Sequence, residues 1–130
     1  MRKILIVDDE AELVRLLQMY LGLKGYTVEA AVDGEEALEK NRSFQPRVVL
    51  LDLIMPGKGG FDVLKQIKHA NPETEVIVIT AMIEEQVRAL AMQLGAHDCI
   101  VKPFNLDRLE KSIGSFFAEQ PSPSAKPDNT

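Results

Sequence analysis

The sequence is poor in the features that mark secreted, disulfide-rich and membrane proteins. It has a single cysteine, Cys99, so no disulfide can form within the chain. No apolar run approaches the roughly 20 residues of a membrane span. The N-terminus also lacks the apolar core of a signal peptide. These absences predict a protein of the reducing cytoplasm that does not enter the membrane.

The sequence also lacks an excess of positive charge. Lysine and arginine number 15 against 20 aspartates and glutamates, the formal net charge is −5, and the basic residues form no run. Such a balance does not attract a phosphate backbone or anionic lipid, so we expect no direct binding of nucleic acid or membrane. The chain has 130 residues, 45% of them hydrophobic, which suits one globular domain.

What the sequence does contain is a regular alternation of two patterns. Short runs rich in Ile and Val, typical of strands, are separated by longer stretches in which apolar residues recur with helical spacing. The runs span residues 3–7, 26–31, 47–51, 75–80 and 98–102. Three of them are apolar throughout, as expected of parallel strands that are covered on both faces.

Four of the helical stretches carry an apolar face that we expect to cover the sheet. The members of these faces are Leu13, Leu16, Leu17, Tyr20 and Leu21, then Phe61, Leu64 and Ile67, then Val87, Leu90 and Leu94, and finally Leu106, Leu109, Ile113 and Phe116. Gly25 and Gly95 stand where helices should end, Pro72 closes the third helix, and Asp33 and Asn105 suit helix starts. Strand and helix thus alternate five times, which predicts a doubly wound α/β sheet with its sites beyond the carboxyl ends of the strands.

The C-terminal residues differ in composition from the rest. From Gln120 on, "QPSPSAKPDNT" is polar and rich in proline. We therefore predict a domain over residues 1–118 and a flexible tail, or the start of a linker, over residues 119–130.

Polar side chains follow the apolar runs where the predicted strands end. Asp8 and Asp9 follow the first run, Asp52 follows the third, Thr80 ends the fourth and Lys102 ends the fifth. The carboxyl ends of parallel strands meet at one edge of a sheet. We therefore expect three carboxylates, a hydroxyl and an ammonium group to converge there.

Helix capping is a simpler explanation for part of this group. Asp9 or Glu10 could cap the first helix, Thr80 could be an ordinary strand residue, and Lys102 could pair with one acid. Capping does not explain Asp52, which directly follows a buried run. Moreover, two carboxylates about 4 Å apart repel by about 4 kcal/mol at an effective dielectric constant of about 20. One lysine cannot neutralise three acids.

A hard divalent cation would offset this repulsion. Mg²⁺ binds a few carboxylate oxygens and keeps positions for water or phosphate oxygens, so we expect Asp8, Asp9 and Asp52 to hold Mg²⁺. A metal beside a carboxylate, a hydroxyl and a lysine suits phosphoryl transfer to an aspartate oxygen. The product of that transfer is an acyl phosphate.

Four motifs together resemble the receiver domain of two-component response regulators, the CheY-like family. They are "DDE" from Asp8, "LDLIMPGKGGFDVL" from Leu51, "TA" at Thr80 and "KPF" at Lys102, and the resemblance covers residues 2 to about 118. The resemblance implies a flavodoxin-like sheet of five parallel strands in the order 2-1-3-4-5, with five helices on its two faces.

The resemblance also implies roles for the acids. Asp52 corresponds to the aspartate that accepts a phosphoryl group from a sensor histidine kinase or a histidine phosphotransfer protein. Asp8 and Asp9 correspond to the acids that hold Mg²⁺, together with Asp52 and the backbone carbonyl of Ile54. On this basis the protein is a phosphorylation-activated regulatory domain and not an enzyme.

Further roles follow from the same resemblance. Thr80 corresponds to the switch hydroxyl that moves to the phosphoryl group, and Lys102 to the lysine that pairs with that group. Residues 83–117, which hold the fourth helix, fifth strand and fifth helix, would report the change to an output domain or protein target. A phosphorylation-dependent homodimer is one form that this output could take.

Some positions match the family pattern and one departs from it. Met55-Pro56-Gly57 resembles the tight loop after the phosphorylated aspartate, and Lys102-Pro103 resembles a bond that is often cis in receivers. Cys99 stands where receivers commonly have tyrosine or phenylalanine. We expect it to be a small core residue without a redox role.

Two apolar residues bear on the lifetime of the phosphoryl group. Ile54 and Met82 stand two residues after Asp52 and Thr80, at positions that influence the access of water in the family. Neither side chain can hydrogen-bond an attacking water. We therefore expect slow self-dephosphorylation.

Other classes of protein share part of the pattern. A haloacid-dehalogenase-like phosphatase also forms an aspartyl phosphate with Mg²⁺, but its first strand ends in two aspartates separated by one residue, whereas the acids here are adjacent. A flavodoxin-like FMN module shares the strand order, but "DDEAEL" would repel its phosphate. A receiver-shaped interaction module that is never phosphorylated is the third alternative.

Overall fold

The computed structural model describes residues 2–55, 59–82 and 84–118. Within these ranges five strands alternate with five helices. The strands are β1 (Lys3–Val7), β2 (Thr27–Ala31), β3 (Val48–Asp52), β4 (Glu75–Thr80) and β5 (Asp98–Val101). The helices are α1 (Ala11–Leu23), α2 (Gly34–Phe44), α3 (Gly60–Ala70), α4 (Glu85–Gln93) and α5 (Leu106–Ala118). Each predicted strand is present, and its ends agree with the sequence-based bounds to within one residue.

The strands form one parallel sheet in the order β2-β1-β3-β4-β5. This order confirms the predicted doubly wound fold. Because all five strands run in one direction, their carboxyl ends lie together at one edge, which we call the carboxyl edge, and their amino ends lie at the opposite amino edge. β1, β3 and β4 occupy the centre, where the most apolar sequences are required.

Two apolar layers cover the sheet because side chains alternate between its faces along each strand. Ile4 and Ile6 belong to the layer under α1 and α5, whereas Leu5 and Val7 belong to the layer under α2, α3 and α4. All four side chains are at most 1% exposed. Complete burial of such a side chain stabilises the fold by about 1.5 to 3 kcal/mol. The fold is therefore most stable with the sheet between the two layers of helices.

The helix ends follow the predicted signals. The Asp33 carboxylate accepts a hydrogen bond from the N–H of Glu36 at 2.8 Å, and the Asn105 side chain accepts one from the N–H of Arg108 at 2.7 Å. Both residues therefore cap helix N-termini, as predicted. Gly25 and Gly95, which follow α1 and α4, have φ angles of 97° and 105°, in the left-handed region that favours glycine.

Two apolar residues that we expected to cover the sheet are exposed instead. Leu16 is 46% exposed and Leu90 is 40% exposed. Each lies about 100° around its helix from the following residue, which is buried Leu17 in α1 and buried Ala91 in α4. The prediction was wrong for this pair because the buried face of each helix is narrower than its apolar face.

The start of α3 fixes the segment that follows β3. A Cβ atom added to Gly60 would lie 2.5 Å from both the Cα and the carbonyl oxygen of Leu53, so a larger residue would have to displace that backbone. Glycine thus allows α3 to begin directly beside the end of β3.

Pro56 and Gly57 of the predicted loop, and the predicted tail of residues 119–130, lie outside the described residues. In the described part of the chain, no helix is long and apolar enough to span a membrane.

Candidate functional site

The polar residues at the strand ends meet at the carboxyl edge, as predicted. Asp52 is the last residue of β3 and Thr80 the last of β4, while Asp8 follows β1 and Lys102 follows β5. Asp8, Asp52 and Thr80 are 4%, 6% and 0% exposed. Buried polar groups cost free energy unless they have partners, so their partners define what the site can do.

Three of these side chains are held by the same local turn. In each case the N–H two residues further on donates to the side-chain oxygen: Glu10 N–H to Asp8 Oδ1 at 2.9 Å, Ile54 N–H to Asp52 Oδ1 at 3.0 Å, and Met82 N–H to Thr80 Oγ1 at 3.1 Å. Aspartate and threonine commonly form such turns where a strand gives way to a loop. The turns occupy Oδ1 of both aspartates and leave Oδ2 for other partners.

Lys102 joins the strand ends across the carboxyl edge. Its Nζ donates to Asp8 Oδ2 at 2.9 Å, to Asp52 Oδ2 at 3.2 Å and to Glu10 Oε1 at 2.7 Å. The Lys102 side chain is 15% exposed, and the Asp8 and Asp52 side chains are 6% and 7% exposed. Because water is largely excluded from the two aspartate contacts, these charge-assisted hydrogen bonds are stronger than they would be on the surface.

These contacts shift the protonation equilibria of two groups. Burial raises the pKa of the Asp52 carboxyl above its ordinary value, although the Ile54 N–H and the charge of Lys102 oppose the shift. Burial alone would lower the pKa of Lys102, but its hydrogen bonds to Glu10 and Asp8 and the nearby negative charges outweigh burial and raise that pKa. Lys102 is therefore protonated at neutral pH, whereas the Asp52 charge is maintained at a cost in free energy.

Three carboxylates could hold a cation at this edge. One oxygen each of Asp8, Asp9 and Asp52 lies within 4.8 Å of the other two. Such a set of hard oxygen ligands fits Mg²⁺, which binds through a few carboxylates and keeps several waters. Asp9 is exposed, so water can complete the coordination. The backbone carbonyl of Ile54 stays a predicted ligand.

Glu10 is the residue of the site that sequence reasoning missed. It occupies the N-cap position of α1, but its side chain makes no capping hydrogen bond. The carboxylate contacts Lys102 instead. The capping hypothesis is therefore wrong for the side chain of Glu10 and for Asp9, which precedes the N-cap. The signal that could have revealed the contact is the third acid of "DDE", directly after the two predicted metal ligands.

Cys99 is a buried core residue, as predicted. It belongs to the layer under α2, α3 and α4 and is 5% exposed. Burial raises the pKa of the thiol, which reduces the thiolate fraction that redox chemistry requires. Its carbonyl oxygen accepts a hydrogen bond from the Arg88 guanidinium at 3.2 Å, which links α4 to β5. The Lys102–Pro103 bond, at the end of β5, is cis as predicted.

An apolar groove opens beside the site, between α1 and the segment after β5. Its volume is about 400 Å³, and its lining includes Leu13, Leu16, Phe104 and Leu106 together with the polar Glu10 and Lys102. Leu16 thus lines a groove instead of covering the sheet. Because Glu10 and Lys102 belong to both the groove and the site, a molecule in the groove would lie next to the acids.

Comparison with known proteins decides the family. The family model described as the response regulator receiver domain matches residues 4–114. The chain belongs to this family. The receiver match includes every residue of the candidate site, and it favours the receiver over the phosphatase and flavin alternatives.

Individual receivers support the assignment. A transcriptional regulatory protein of Haemophilus influenzae, named as a CpxR homolog, is 42% identical over 125 residues, which are 95% of this chain and 54% of that protein. The response regulator TrrA from Thermotoga maritima, solved in complex with Mg(2+)-BeF, is 35% identical with a TM-score of 0.79, and the match covers 88% of this chain and 98% of TrrA. A two-component response regulator from Clostridium difficile has a TM-score of 0.89 at 26% identity, covering 94% of this chain and 100% of that one. The chain spans about half the length of the curated relatives it matches.

Proposed function

We propose that this receiver accepts a phosphoryl group on Asp52 and acts as a switch in a two-component system. The observation that carries the proposal is one buried carboxylate, Asp52, which lies 3.2 Å from Lys102 and belongs to a group of three acids that could hold a cation. The donor is a phosphohistidine on a sensor histidine kinase or a histidine phosphotransfer protein. TrrA, a relative with this fold, was solved in complex with Mg(2+)-BeF, which supports binding of Mg²⁺ and a phosphoryl group by this chain.

In the proposed step, an oxygen of the Asp52 carboxylate attacks the phosphorus atom of the phosphohistidine. A P–O bond forms and the P–N bond breaks. The electron pair of the P–N bond stays with the donor imidazole, which leaves as a neutral ring because its other nitrogen carries a proton. The Ile54 N–H already fixes one Asp52 oxygen, and Lys102 contacts the other, so the nucleophile is oriented before the donor arrives.

The remaining acids prepare the site for the incoming negative charge. Asp8, Asp9 and Asp52 would hold Mg²⁺, with the Ile54 carbonyl as a further ligand. When bound, Mg²⁺ supplies positive charge that offsets the carboxylates and the transferring phosphoryl oxygens. Lys102 adds a second positive charge, and its raised pKa keeps that charge in place at neutral pH.

Thr80 connects the phosphorylated site to the segment before α4. Its hydroxyl oxygen now accepts the N–H of Met82 at 3.1 Å. Rotation of the hydroxyl toward a phosphoryl group on Asp52 would break that turn and release the backbone that leads into α4. Phosphorylation then acts by favouring a conformation that the resting protein populates less.

The output surface in this proposal is formed by α4, β5 and α5, residues 83–117. Exposed apolar side chains support it, since Leu90 on α4 is 40% exposed and Val101 on β5 is 42% exposed. An output domain or a protein target would bind there, and a homodimer that depends on phosphorylation is one form of such binding. The names of the curated relatives, which are transcriptional regulators, support a role in regulation and not in catalytic turnover.

The apolar groove beside the site supports a protein, and not a small molecule, as the phosphoryl donor, because a helix of the donor could dock there. A helix seated between Leu16 and Leu106 would lie beside Lys102 and Glu10, which places a histidine on that helix close to Asp52. We expect Leu16→Asp to slow phosphoryl transfer from a phosphorylated histidine kinase core while labelling by acetyl phosphate stays unchanged. Equal loss of both reactions would argue against docking in the groove.

We also propose the bounds of the domain and its location in the cell. Residues 1–118 form the receiver, and residues 119–130 form a polar tail or the start of a linker. The protein works in the cytoplasm, where sensor kinases present their phosphohistidines.

Intact mass spectrometry after incubation with acetyl phosphate tests the proposed function. We expect the wild type to gain one phosphoryl group when Mg²⁺ is present. Asp52→Asn should gain none, and the wild type in EDTA should gain none. If the wild type gains no phosphoryl group and also fails to bind beryllofluoride, the unphosphorylated interaction module becomes the better account. Continuous hydrolysis of a phosphate ester would favour the phosphatase instead.

A further inference from the structure

Lys102 has two kinds of acceptor at the carboxyl edge. Asp8 and Asp52 are buried and belong to the group of carboxylates that could hold a cation. Glu10 does not belong to that group, its side chain is 61% exposed, and it makes the shortest of the three contacts, 2.7 Å from Oε1 to Lys102 Nζ. The lysine is therefore shared between the predicted metal ligands and an acid outside them.

Lys102 and a cation would compete for the carboxylates of Asp8 and Asp52. Oδ1 of Asp8 and Oδ1 of Asp52 already accept backbone N–H groups, so Oδ2 of each is the oxygen that is less occupied by the chain itself. Both Oδ2 atoms now accept hydrogen bonds from Lys102. Since an ammonium group and a metal ion both seek the lone pairs of these oxygens, binding of one weakens binding of the other.

We propose that Glu10 is a positioning residue that holds Lys102 to the side of the metal site. Its carboxylate offers the ammonium group an acceptor outside the ligand set, so Lys102 can loosen its contacts with Asp8 and Asp52 and still remain beside the phosphorylation site. This inference rests on the proposed function, because it assumes that the three aspartates bind Mg²⁺. Glu10 acts on the metal through Lys102 and not as a ligand.

Because Glu10 is exposed, an effect of this residue on Mg²⁺ affinity can be distinguished from an effect on folding stability. An exposed ion pair contributes little to stability, so removal of the Glu10 charge should leave the free energy of unfolding in EDTA nearly unchanged. Metal affinity should change more, because without Glu10 the hydrogen bonds of Lys102 go to Asp8 and Asp52 alone. A role confined to folding would produce the opposite pattern.

Calorimetric titration of unphosphorylated protein with Mg²⁺ tests the proposal. We expect Glu10→Gln to weaken binding by about fivefold, the upper end for an exposed ion pair. Glu12→Gln is the matched control, because it removes the same charge from an exposed residue in the first turn of α1. Among the described residues, no hydrogen bond or ion pair joins Glu12 to Lys102. The control should weaken binding by less than about twofold, through long-range charge alone. Equal effects of the two variants would overturn the proposal.

A second comparison shows whether Glu10 acts through Lys102. In a Lys102→Met background, Glu10→Gln should weaken Mg²⁺ binding no more than Glu12→Gln does, because the competing ammonium is gone. A full effect of Glu10→Gln in that background would mean direct action on the metal, and it would contradict the proposal. The first comparison stands even if the Lys102 variant folds poorly.

The outcomes also separate this inference from the proposed function. Wild-type protein that binds Mg²⁺ but gains no phosphoryl group from acetyl phosphate would count against the proposed function and leave the Glu10 comparison valid. Wild-type protein that is phosphorylated while Glu10→Gln and Glu12→Gln bind Mg²⁺ alike would overturn the role of Glu10 only. Wild-type protein that binds no Mg²⁺ would overturn both.

Discussion

The two edges of the sheet treat charge in opposite ways. At the amino edge, the carboxylate of Glu75 at the start of β4 lies 4.0 Å from Lys68 Nζ and 3.8 Å from His97 Nδ1. Lys68 also donates to two backbone carbonyls, those of Pro72 and Thr74, at 2.9 Å each. At the carboxyl edge, Lys102 contacts three acids, and a fourth acid follows β1. These acids are Asp8, Asp9, Glu10 and Asp52.

The difference shows where the fold tolerates a cost for the sake of function. An acid beside a cation such as Lys68 is compatible with a purely structural role, because its charge is largely balanced. Four acids around one lysine, two of them buried, reduce stability until another positive charge arrives. The carboxyl edge is therefore the candidate functional edge.

Removal of the lysine at the carboxyl edge should have the largest effect on stability. Lys102→Met leaves buried Asp8 and Asp52 without their cation, so we expect the free energy of unfolding in EDTA at pH 7 to fall by about 2 to 3 kcal/mol. Saturating Mg²⁺ should restore part of the loss. Urea denaturation with and without Mg²⁺ measures both effects. Lys68→Met at the amino edge is the control, and it should cost less and show no recovery with Mg²⁺.

A buried hydroxyl at the amino edge should matter for folding but not for the site. Thr74 is 1% exposed, and its Oγ1 donates to the Pro46 carbonyl at 3.0 Å. Thr74→Val keeps the shape of the side chain but leaves that carbonyl without its donor, which should cost about 1 to 2 kcal/mol. Urea denaturation and Mg²⁺ titration should show lower stability with unchanged metal affinity. A change in metal affinity would mean that the two edges are coupled.

Neutralisation of Asp52 should stabilise the metal-free protein. Burial raises the pKa of the Asp52 carboxyl in the folded state. A group of this kind contributes stability that is full below its unfolded pKa, about 3.9, and is lost as pH rises through its folded pKa. At pH 7 the charge is therefore a cost. We expect Asp52→Asn to raise the free energy of unfolding in EDTA at pH 7, because the substitution removes this charge.

The pH dependence of that gain provides its control. As pH falls below the folded pKa, the wild-type carboxyl becomes neutral, so the advantage of Asp52→Asn should disappear. Thermal or urea unfolding at several pH values in EDTA measures the trend. A stability gain that is constant with pH, or a loss of stability at pH 7, would contradict the assignment of a costly charge to Asp52.

The smallest expected effect concerns the lifetime of the phosphorylated state. Ile54 is 52% exposed, and its N–H donates to Asp52, so its side chain would lie next to a phosphoryl group on Asp52. Because this side chain is apolar, it cannot hydrogen-bond an attacking water. We expect the phosphoryl group on the wild type to persist for minutes or longer. Ile54→Asn should shorten its half-life about threefold, which corresponds to less than about 1 kcal/mol in the activation free energy of hydrolysis. Leu23→Asn, at an exposed residue at the end of α1, is the control. A wild-type half-life of seconds with Mg²⁺ would contradict this expectation.

Much of this molecule could be predicted from its sequence because its signals are local. The apolar runs of β1, β3 and β4 marked the centre of the sheet, and the polar residues that end them, such as Asp52 and Thr80, marked the edge where they meet. Caps such as Asp33 could be predicted because their hydrogen bonds join residues three apart in the chain.

The rest depends on contacts that local patterns do not encode. The burial of Leu16 and Leu90 was predicted wrongly because an apolar stripe does not show how wide a face its neighbours cover. The contact between Glu10 and Lys102 joins residues 92 positions apart, and it depends on which way a side chain turns at a helix start. The roles of the site residues stay predictions, since neither fold nor family tests them one by one.

Chemical mapping of the phosphorylated residue tests the central claim most directly. Protein treated with acetyl phosphate and Mg²⁺ is reduced with borohydride, which converts an aspartyl phosphate to homoserine, and the peptides are then sequenced by mass spectrometry. We predict homoserine at position 52 and unmodified aspartate at positions 8 and 9. Homoserine at position 8 or 9, or a phosphoryl group that resists borohydride because it is not an acyl phosphate, would contradict the assignment of Asp52 as the acceptor.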